Sequence, residues 1–366
     1  MIPTRIASLC GILALTGPVA AQTPGFWLMG LAPGTNQGAT MALSQDGSVA
    51  AGYSAQTLLP YADPGFLWTA GGGRSDFTGP GMPLQSPAYG LSSDGNTVVG
   101  YMDGPAPTRA YRRVGSGAFQ DLGAGPYDRS YASGVSGDGS VVVGHGEFTQ
   151  FGQDFGEAFR WTQQGGMQFL GTLHPGSRIS KACAVSRDGG TVVGYSDAGA
   201  PEAFVWRQST GIQALAVPPG WSTLFSYAYG ANADGSVIVG QADAPDTSVH
   251  AIRWTPAGPQ DLGGGAAVAA SDDGLVVAGL NQFLWTPATG RTVFSSYLAQ
   301  AGVTIPAGWT PRDIYAVSGD GMSFAGGAVS ASGALQGFVA TVPAPTGAVI
   351  LFLPTLLLQR RRRAIR

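Results

Sequence analysis

The chain has 366 residues, of which only 11% are charged, while 58 are glycine and 25 are proline. This composition is typical of many short strands joined by many turns, and 44% hydrophobic residues argue against a disordered polymer because they offset the entropy of ordering the backbone. Without Arg5 and the five arginines of the C-terminal tail, 13 basic residues remain against 22 acidic ones, and this net charge of −9 argues against nucleic acid as a partner.

The first 21 residues have the plan of a secretory signal peptide. Arg5 is the charged start, an apolar stretch covers residues 6–15, and Val19 and Ala21 are the small residues of a cleavage site. We therefore expect signal peptidase to release a mature domain at residues 22–341, followed by a C-terminal segment at residues 342–366. The mature chain then has a single cysteine, Cys183, so its stability depends on burial and sheet hydrogen bonds rather than on an internal disulfide.

The mature domain carries a repeat of roughly 46 residues, anchored on an Asp-Gly pair. The leading aspartates of the seven copies are Asp46, Asp94, Asp138, Asp188, Asp234, Asp273 and Asp320. Every copy has a small residue four positions before the aspartate and a glycine six positions after it, from Gly52 in the first copy to Gly326 in the last. Runs between the two, such as Val141 to Val143, are typical of a strand buried on both faces, entered from a tight Asp-Gly turn. We interpret the aspartates as structural turn residues rather than as acid/base groups or metal ligands.

Two more strands follow in the repeat. The third has large residues at alternate positions, as in Phe159-Arg160-Trp161, and we expect this tryptophan column to pack between copies. A fourth, such as residues 168–171, follows in most copies. Four strands per unit predict an all-β fold, a seven-bladed β-propeller of four-stranded blades. The segment from Phe26 to Leu31 looks like the fourth strand that the last copy lacks, so we expect this N-terminal strand to close the ring.

These units resemble the bacterial extracellular HAF repeat family, and the clearest copy is residues 157–161 with residues 168–171. The resemblance covers nearly all of residues 26–341. It implies export and a repeat fold, and it carries no reaction.

Binding is expected in the variable loops on the face opposite the Asp-Gly turns. The longest such loop runs from residue 146 to residue 156, and its candidate binding residues are Glu147, Phe148, Phe151, Asp154 and Phe155. Exposed aromatic rings beside carboxylates suit stacking on and hydrogen bonding to a sugar, so we hypothesise a surface glycan as the partner. In the alternative interpretation, the phenylalanines only cap the third copy.

One segment has helical rather than strand spacing. Phe294, Tyr297, Leu298 and Ala301 recur at intervals of three and four, which predicts one short amphipathic helix near residues 293–302.

Nothing in the sequence indicates catalysis. The three histidines, His145, His174 and His250, fall in different copies without metal-ligand spacing. His145 shares a column with Tyr53, Tyr101 and Tyr195, and Cys183 shares one with Tyr89 and Tyr229, which suggests that both fill space. We therefore predict no catalytic residue, metal or cofactor. The alternative is a secreted propeller glycan hydrolase or lyase whose carboxylates only the fold brings together.

The C-terminal segment combines a short motif, an apolar stretch to residue 358 and a basic cluster. The motif and the cluster are Val342, Pro343, Ala344, Pro345, Arg360, Arg361, Arg362 and Arg363. This arrangement resembles the PEP-CTERM sorting signal read by an exosortase-like enzyme, with Ala344 in place of the usual glutamate. It implies transient membrane anchoring through this segment alone. In the alternative, the stretch packs on the domain.

Together these features predict an exported, cell-surface or extracellular-matrix repeat protein. It acts as a non-catalytic binding or structural module, with exopolysaccharide as the candidate ligand.

Overall fold

The computed structural model describes residues 23–56, 63–78, 83, 85–103, 107–150, 153–221 and 225–344. Several predicted features lie outside these residues, namely the signal peptide with Val19 and Ala21, the loop residue Phe151, and the tail from Pro345 through the four arginines. Among the described residues, no helix has the length and apolar character needed to cross a membrane.

The described chain forms 28 strands and one helix, and nearly all strand pairs are antiparallel. Sheet 1 contains β2 (Gln37–Leu43), β3 (Val49–Ala55), β4 (Gly65–Thr69) and β5 (Gly73–Asp76). Sheet 2 contains β6 (Ala88–Leu91), β7 (Thr97–Met102), β8 (Arg109–Val114) and β9 (Gln120–Asp121). Sheet 3 contains β10 (Arg129–Val135), β11 (Val141–Gln150), β12 (Gln153–Thr162) and β13 (Gly166–Phe169). Sheet 4 contains β14 (Ile179–Val185), β15 (Thr191–Asp197), β16 (Pro201–Arg207) and β17 (Gly211–Ala214).

The remaining strands continue the same pattern. Sheet 5 contains β18 (Ser226–Ala231), β19 (Ile238–Asp243), β20 (Val249–Thr255) and β21 (Gly258–Gly264). Sheet 6 contains β22 (Ala267–Ala270), β23 (Val277–Gly279), β24 (Phe283–Thr286) and β25 (Gly290–Val293). Sheet 7 contains β26 (Trp309–Val317), β27 (Ser323–Ser330), β28 (Leu335–Thr341) and the N-terminal β1 (Gly25–Leu28). Single parallel bridges, Gln37 to Leu335 and Gly156 to Ile179, link sheet 7 to sheet 1 and sheet 3 to sheet 4.

The Asp-Gly pair forms the turn between the first two strands of each sheet, and sheet 3 illustrates its geometry. Ser136 Oγ donates to Asp138 Oδ1 at 2.6 Å, the Ser140 N–H donates to the same oxygen at 2.9 Å, and the Val141 N–H donates to Ser136 Oγ at 2.9 Å. These bonds, led by that from Ser136, hold the pKa of Asp138 below its usual value. Gly139 has a φ of 72°, which side-chain-bearing residues adopt at a cost. The serine two positions before the aspartate is thus a turn residue, and in sheet 5 the Asn232 amide oxygen takes its place.

The pairing of the first two strands of each described sheet contains a β-bulge. In sheet 4 the register shifts between Ala182 and Ala184, so that Cys183 is the bulged residue. Beside the bulge, the carbonyl of Lys181 lies 1.9 Å from the position that a Cβ on Gly194 would occupy. Only glycine fits there, which explains the glycine column.

The third strands pack between sheets. Trp161 of β12 shares a buried cluster with Val99 of sheet 2, and Trp68 of β4 shares one with Val339 of sheet 7. Both indole rings are buried. The prediction that the tryptophan column packs between copies is confirmed by these contacts.

The two chain-specific elements lie where the sequence placed them. Strand β1 pairs antiparallel with β28, and the Phe26 ring stacks on Phe338 with centroids 4.9 Å apart. Helix α1 covers Phe294–Gln300, and it buries Phe294 and Leu298 against the core of sheet 7.

Backbone hydrogen bonds between neighbouring Asp-Gly turns link the described sheets in order. The N–H of each turn residue donates to the carbonyl of the next: Gln45 to Ser93, Ser93 to Gly137, Gly137 to Arg187, Asp188 to Ala233, Ala233 to Asp272, Asp272 to Gly319, and Gly319 to Gln45. The final bond, of 2.7 Å, joins sheet 7 to sheet 1, so the series returns to its starting residue.

Candidate functional site

The first strands of the sheets surround a central cavity of about 620 Å³. Its middle layer is formed by the bulged residues, because each bulge turns one side chain away from the strand ladder. They are Met41, Tyr89, Ser133, Cys183, Tyr229, Val268 and Tyr315.

Toward the Asp-Gly turns the cavity wall is apolar, and polar side chains meet beyond this apolar layer. The apolar layer consists of Leu43, Leu91, Val135, Val185, Ala231, Ala270 and Val317. At the turns beyond it, Arg187 of sheet 4 forms an ion pair with Asp272 of sheet 6, and Gln45 of sheet 1 donates to Asp272 Oδ2 at 2.8 Å. Since these sheets are not neighbours, the contacts cross the centre. The end of the cavity near the turns is therefore apolar, and the contacts of Arg187 and Gln45 with Asp272 lie beyond it.

The opposite end, which we call the cavity mouth, is polar and lined by Tyr101, Tyr131, His145, Glu147 and Lys181. Within this region Glu147 lies beside three basic side chains. One of its oxygens lies 3.5 Å from His145 Nε2 and 3.6 Å from Lys181 Nζ, and the other lies 3.6 Å from Arg129 Nη2. Contact with His145 and the charges of Lys181 and Arg129 lower the pKa of Glu147 to about 2. Glu147 is therefore ionised at every physiological pH.

His145 contributes no charge at neutral pH. Burial lowers the pKa of its imidazole, and its Nδ1 is buried with no hydrogen-bond partner among the described residues. The ring stacks on Tyr131 with centroids 5.1 Å apart. The sequence interpretation of His145 as a space filler was incomplete, because the side chain also contacts Glu147.

Aromatic rings continue from His145 around much of the mouth. Tyr131 contacts Tyr101 at 5.1 Å, Tyr101 contacts Tyr89 at 5.9 Å, and Tyr89 contacts Tyr53 at 6.0 Å between ring centroids. Burial raises the pKa of Tyr101 to about 12, and that of Tyr315 in sheet 7 to about 12. These phenols are neutral at physiological pH and present hydroxyl donors together with apolar ring faces.

Cys183 belongs to the cavity wall as well. Burial raises the pKa of its thiol to about 12, so it is not a thiolate at neutral pH and lacks the reactive form of a nucleophilic cysteine.

The segment proposed as the longest loop is a β-hairpin, in which β11 and β12 pair as far as Gln150 opposite Gln153. Phe148 stacks on Phe155 at 5.4 Å and on Tyr127 at 5.9 Å, so both phenylalanines are half-buried rather than exposed as expected. Extended pairing was missed because Gly146 and Gly156 suggested a loop.

A pocket of about 300 Å³ lies beside this hairpin. Its lining includes Tyr127, Phe148, Phe155, Glu157 and Arg178. The structure separates the predicted loop residues, because Glu147 lines the central cavity whereas Phe148 and Phe155 line this side pocket. Asp154 is exposed and accepts a hydrogen bond from Thr149.

The central site was missed by sequence reasoning, although a signal existed. Tyr53, Tyr101, His145 and Tyr195 all follow the invariant glycine directly. A column of polar aromatic residues beside a glycine column indicates that these side chains share one surface. The sequence does not show which of them meet, because they belong to different copies.

Comparison with known proteins identifies the fold. No family model matches the chain, and no curated protein matches it in sequence. Among solved structures, the β-propeller domain of the Trilobed protease from Pyrococcus furiosus is similar with a TM-score of 0.53 at 10% identity, over 87% of this chain and 99% of that domain. Pyrococcus horikoshii acylaminoacyl peptidase gives a TM-score of 0.55 at 9% identity, over 84% of this chain and 52% of the peptidase.

TolB from Acinetobacter baumannii gives a TM-score of 0.44 at 14% identity, over 63% of this chain and 56% of TolB. The chain thus spans about half of TolB and of the peptidase. The similarity to the propeller domain of the Trilobed protease shows an all-β propeller fold, and at 10% identity it shows the fold alone.

Proposed function

We propose that this protein is an exported, non-catalytic glycan-binding module, and that its ligand enters the cavity mouth. The observation that carries the proposal is the arrangement of tyrosines around Glu147 at the end of the cavity opposite the Asp-Gly turns. Sugars offer apolar C–H faces that stack on aromatic rings and hydroxyls that pair with phenols and carboxylates. A volume of about 620 Å³ is in the usual range of small-molecule sites.

The proposed scaffold is a seven-bladed propeller closed by its N-terminal strand. Support comes from the pairing of β1 with β28 and from the hydrogen bond of Gly319 to Gln45. The propeller domain of the Trilobed protease, by contrast, has an open velcro topology. Strand β1 would close the ring here and hold the cavity in one shape.

Export and surface sorting belong to the same proposal and are supported by sequence features. They are the secretory plan of residues 1–21, the HAF-like repeats, and the PEP-CTERM-like tail at residues 342–366. Signal peptidase and an exosortase-like enzyme would process the chain and leave it on the cell surface or in the matrix. Mass spectrometry of the exported protein tests this, because a mature N-terminus other than residue 22 contradicts the cleavage site.

Glycan binding is tested with isolated exopolysaccharide and a glycan array. We expect Tyr101→Ala with Tyr131→Ala to weaken binding by about 30-fold or more, since each lost aromatic contact costs about 1 kcal/mol or more. The matched variant in the side pocket, Phe148→Ser with Phe155→Ser, should retain binding. The opposite result would place the ligand at the hairpin, and failure of the wild-type protein to bind any glycan would refute the proposal.

A glycan hydrolase or lyase is the second candidate, and the proximity of Glu147 to His145 and Tyr131 favours it. These three groups can transfer protons. Among the described residues, however, Glu147 is the one carboxylate of the cavity lining, whereas most glycosidases use two. Prolonged incubation with polysaccharide decides between the candidates, since new reducing ends or unsaturated products that disappear in Glu147→Gln would establish catalysis.

A further inference from the structure

The charges at the cavity mouth point to a particular class of sugar. Lys181 and Arg129 flank Glu147 at 3.6 Å each, a distance longer than a hydrogen bond. Both cations remain accessible to solvent, with 28% of the Lys181 side chain and 36% of the Arg129 side chain exposed. They can therefore bind another anion without first leaving a tight pair.

The cations beside Glu147 outnumber its carboxylate. His145 is neutral at physiological pH because burial lowers its pKa, so two cations face the single carboxylate of Glu147. Asp154 reaches Arg129 only through the hydroxyl of Thr149.

Arg129 and Lys181 belong to the first strands of sheets 3 and 4. Asp63 lies near sheet 2, where its charge contributes to raising the pKa values of Tyr89 and Tyr101. An anionic group would consequently be drawn toward sheets 3 and 4, and the remainder of the ligand would lie against the tyrosines.

We propose that the cavity mouth selects an anionic sugar residue, whose negative group binds Lys181 and Arg129 in competition with Glu147. This inference rests on the glycan-binding function proposed above and specifies its ligand. Glu147 then holds the two cations in place while the site is empty. It is a positioning residue that weakens binding of the acidic ligand.

The test uses isothermal titration calorimetry of the mature protein with a uronate oligosaccharide, its neutral carboxyl-reduced counterpart and a sulfated oligosaccharide of equal length. We expect the uronate to bind at least about tenfold more tightly than the neutral sugar, as charge-assisted hydrogen bonds predict. Its affinity should fall as salt rises from about 0.05 to about 0.5 M. The sulfated ligand distinguishes recognition of any anion from recognition of a carboxylate.

Variants separate the roles of the two charges. Lys181→Gln should remove the preference for the uronate, whereas Arg291→Met, an exposed cation of sheet 6, should preserve it. Glu147→Gln should strengthen uronate binding several-fold because the competing carboxylate is gone. Thermal melts confirm that each variant is folded.

The outcomes are distinguishable. Equal affinity for neutral and acidic sugars overturns this inference and leaves glycan binding intact, as does loss of uronate binding in a folded Glu147→Gln variant. Absence of binding to every sugar overturns the proposed function and this inference with it.

Discussion

Gly194 shows how a single residue type is fixed by its neighbours. The Lys181 carbonyl beside the bulge lies 1.9 Å from the position of a Cβ, and equivalent carbonyls lie within 2.1 Å at the other six glycines of the column. A side chain there would force the first two strands apart. The aspartate column has a different basis, since each carboxylate satisfies N–H groups of its own turn, as Asp138 does.

Substitution of this glycine should destabilise the fold strongly. We expect Gly194→Ala to lower the free energy of unfolding by about 2 kcal/mol or more, because strands or the bulge must shift to admit the methyl group. Urea denaturation measures the change. Gly190→Ala, in the turn that precedes β15, is the matched control, since its Cβ would meet nothing closer than 3.4 Å. Equal effects of the two substitutions would contradict the steric explanation.

At the scale of elements, the hydrophobic pattern predicted the third strand of each sheet correctly. Strands β4, β8, β12, β16, β20, β24 and β28 all contain the third-strand segments identified from sequence. Two outer strands were not identified, β5 with the sequence Gly-Arg-Ser-Asp and β25 with Gly-Arg-Thr-Val. In both, exposed and half-buried residues alternate, so they lack the buried apolar residues that mark the second and third strands.

Strand β1 should contribute to the stability of the whole domain. Deleting residues 22–31 removes the partner of β28 and exposes the edge of sheet 7, so we expect the thermal midpoint to fall by several degrees. Differential scanning calorimetry measures this change. Deleting only residues 22–24, which precede β1, should leave the midpoint unchanged. An unchanged midpoint in the longer deletion would count against closure by β1.

At the scale of the whole molecule, the contacts that matter join parts distant in sequence. Arg187 and Asp272 are 85 positions apart and belong to sheets 4 and 6, yet their side chains meet at the centre. Both precede the turn aspartate of their copy. This position holds glutamine, serine, glycine or alanine in the other copies, so no repeat pattern marks the pair.

We expect this pair to stabilise the assembled sheets. A double-mutant cycle with Arg187→Met and Asp272→Asn should give a coupling energy of about 1 kcal/mol, since both side chains are about three-quarters buried. Chemical denaturation of the two single variants and the double variant provides the values. Strictly additive effects would show that the contact contributes nothing to stability.

Residue patterns alone predicted the turns, the glycine column, the short helix and the pairing of β1 with the last sheet. The turns and glycines recur in every copy, so local stereochemistry reveals them. The helix follows from the spacing of its apolar residues, and β1 supplies the fourth strand that the last copy lacks. The position of the candidate site, by contrast, depends on how the copies come together. Tyr101 shares its column with Tyr53 and Tyr195, but Glu147 and Lys181, from two other copies, occupy columns in which no other copy has the same residue. The site exists because the sheets surround a common centre, and single-copy patterns carry no information about which side chains meet there.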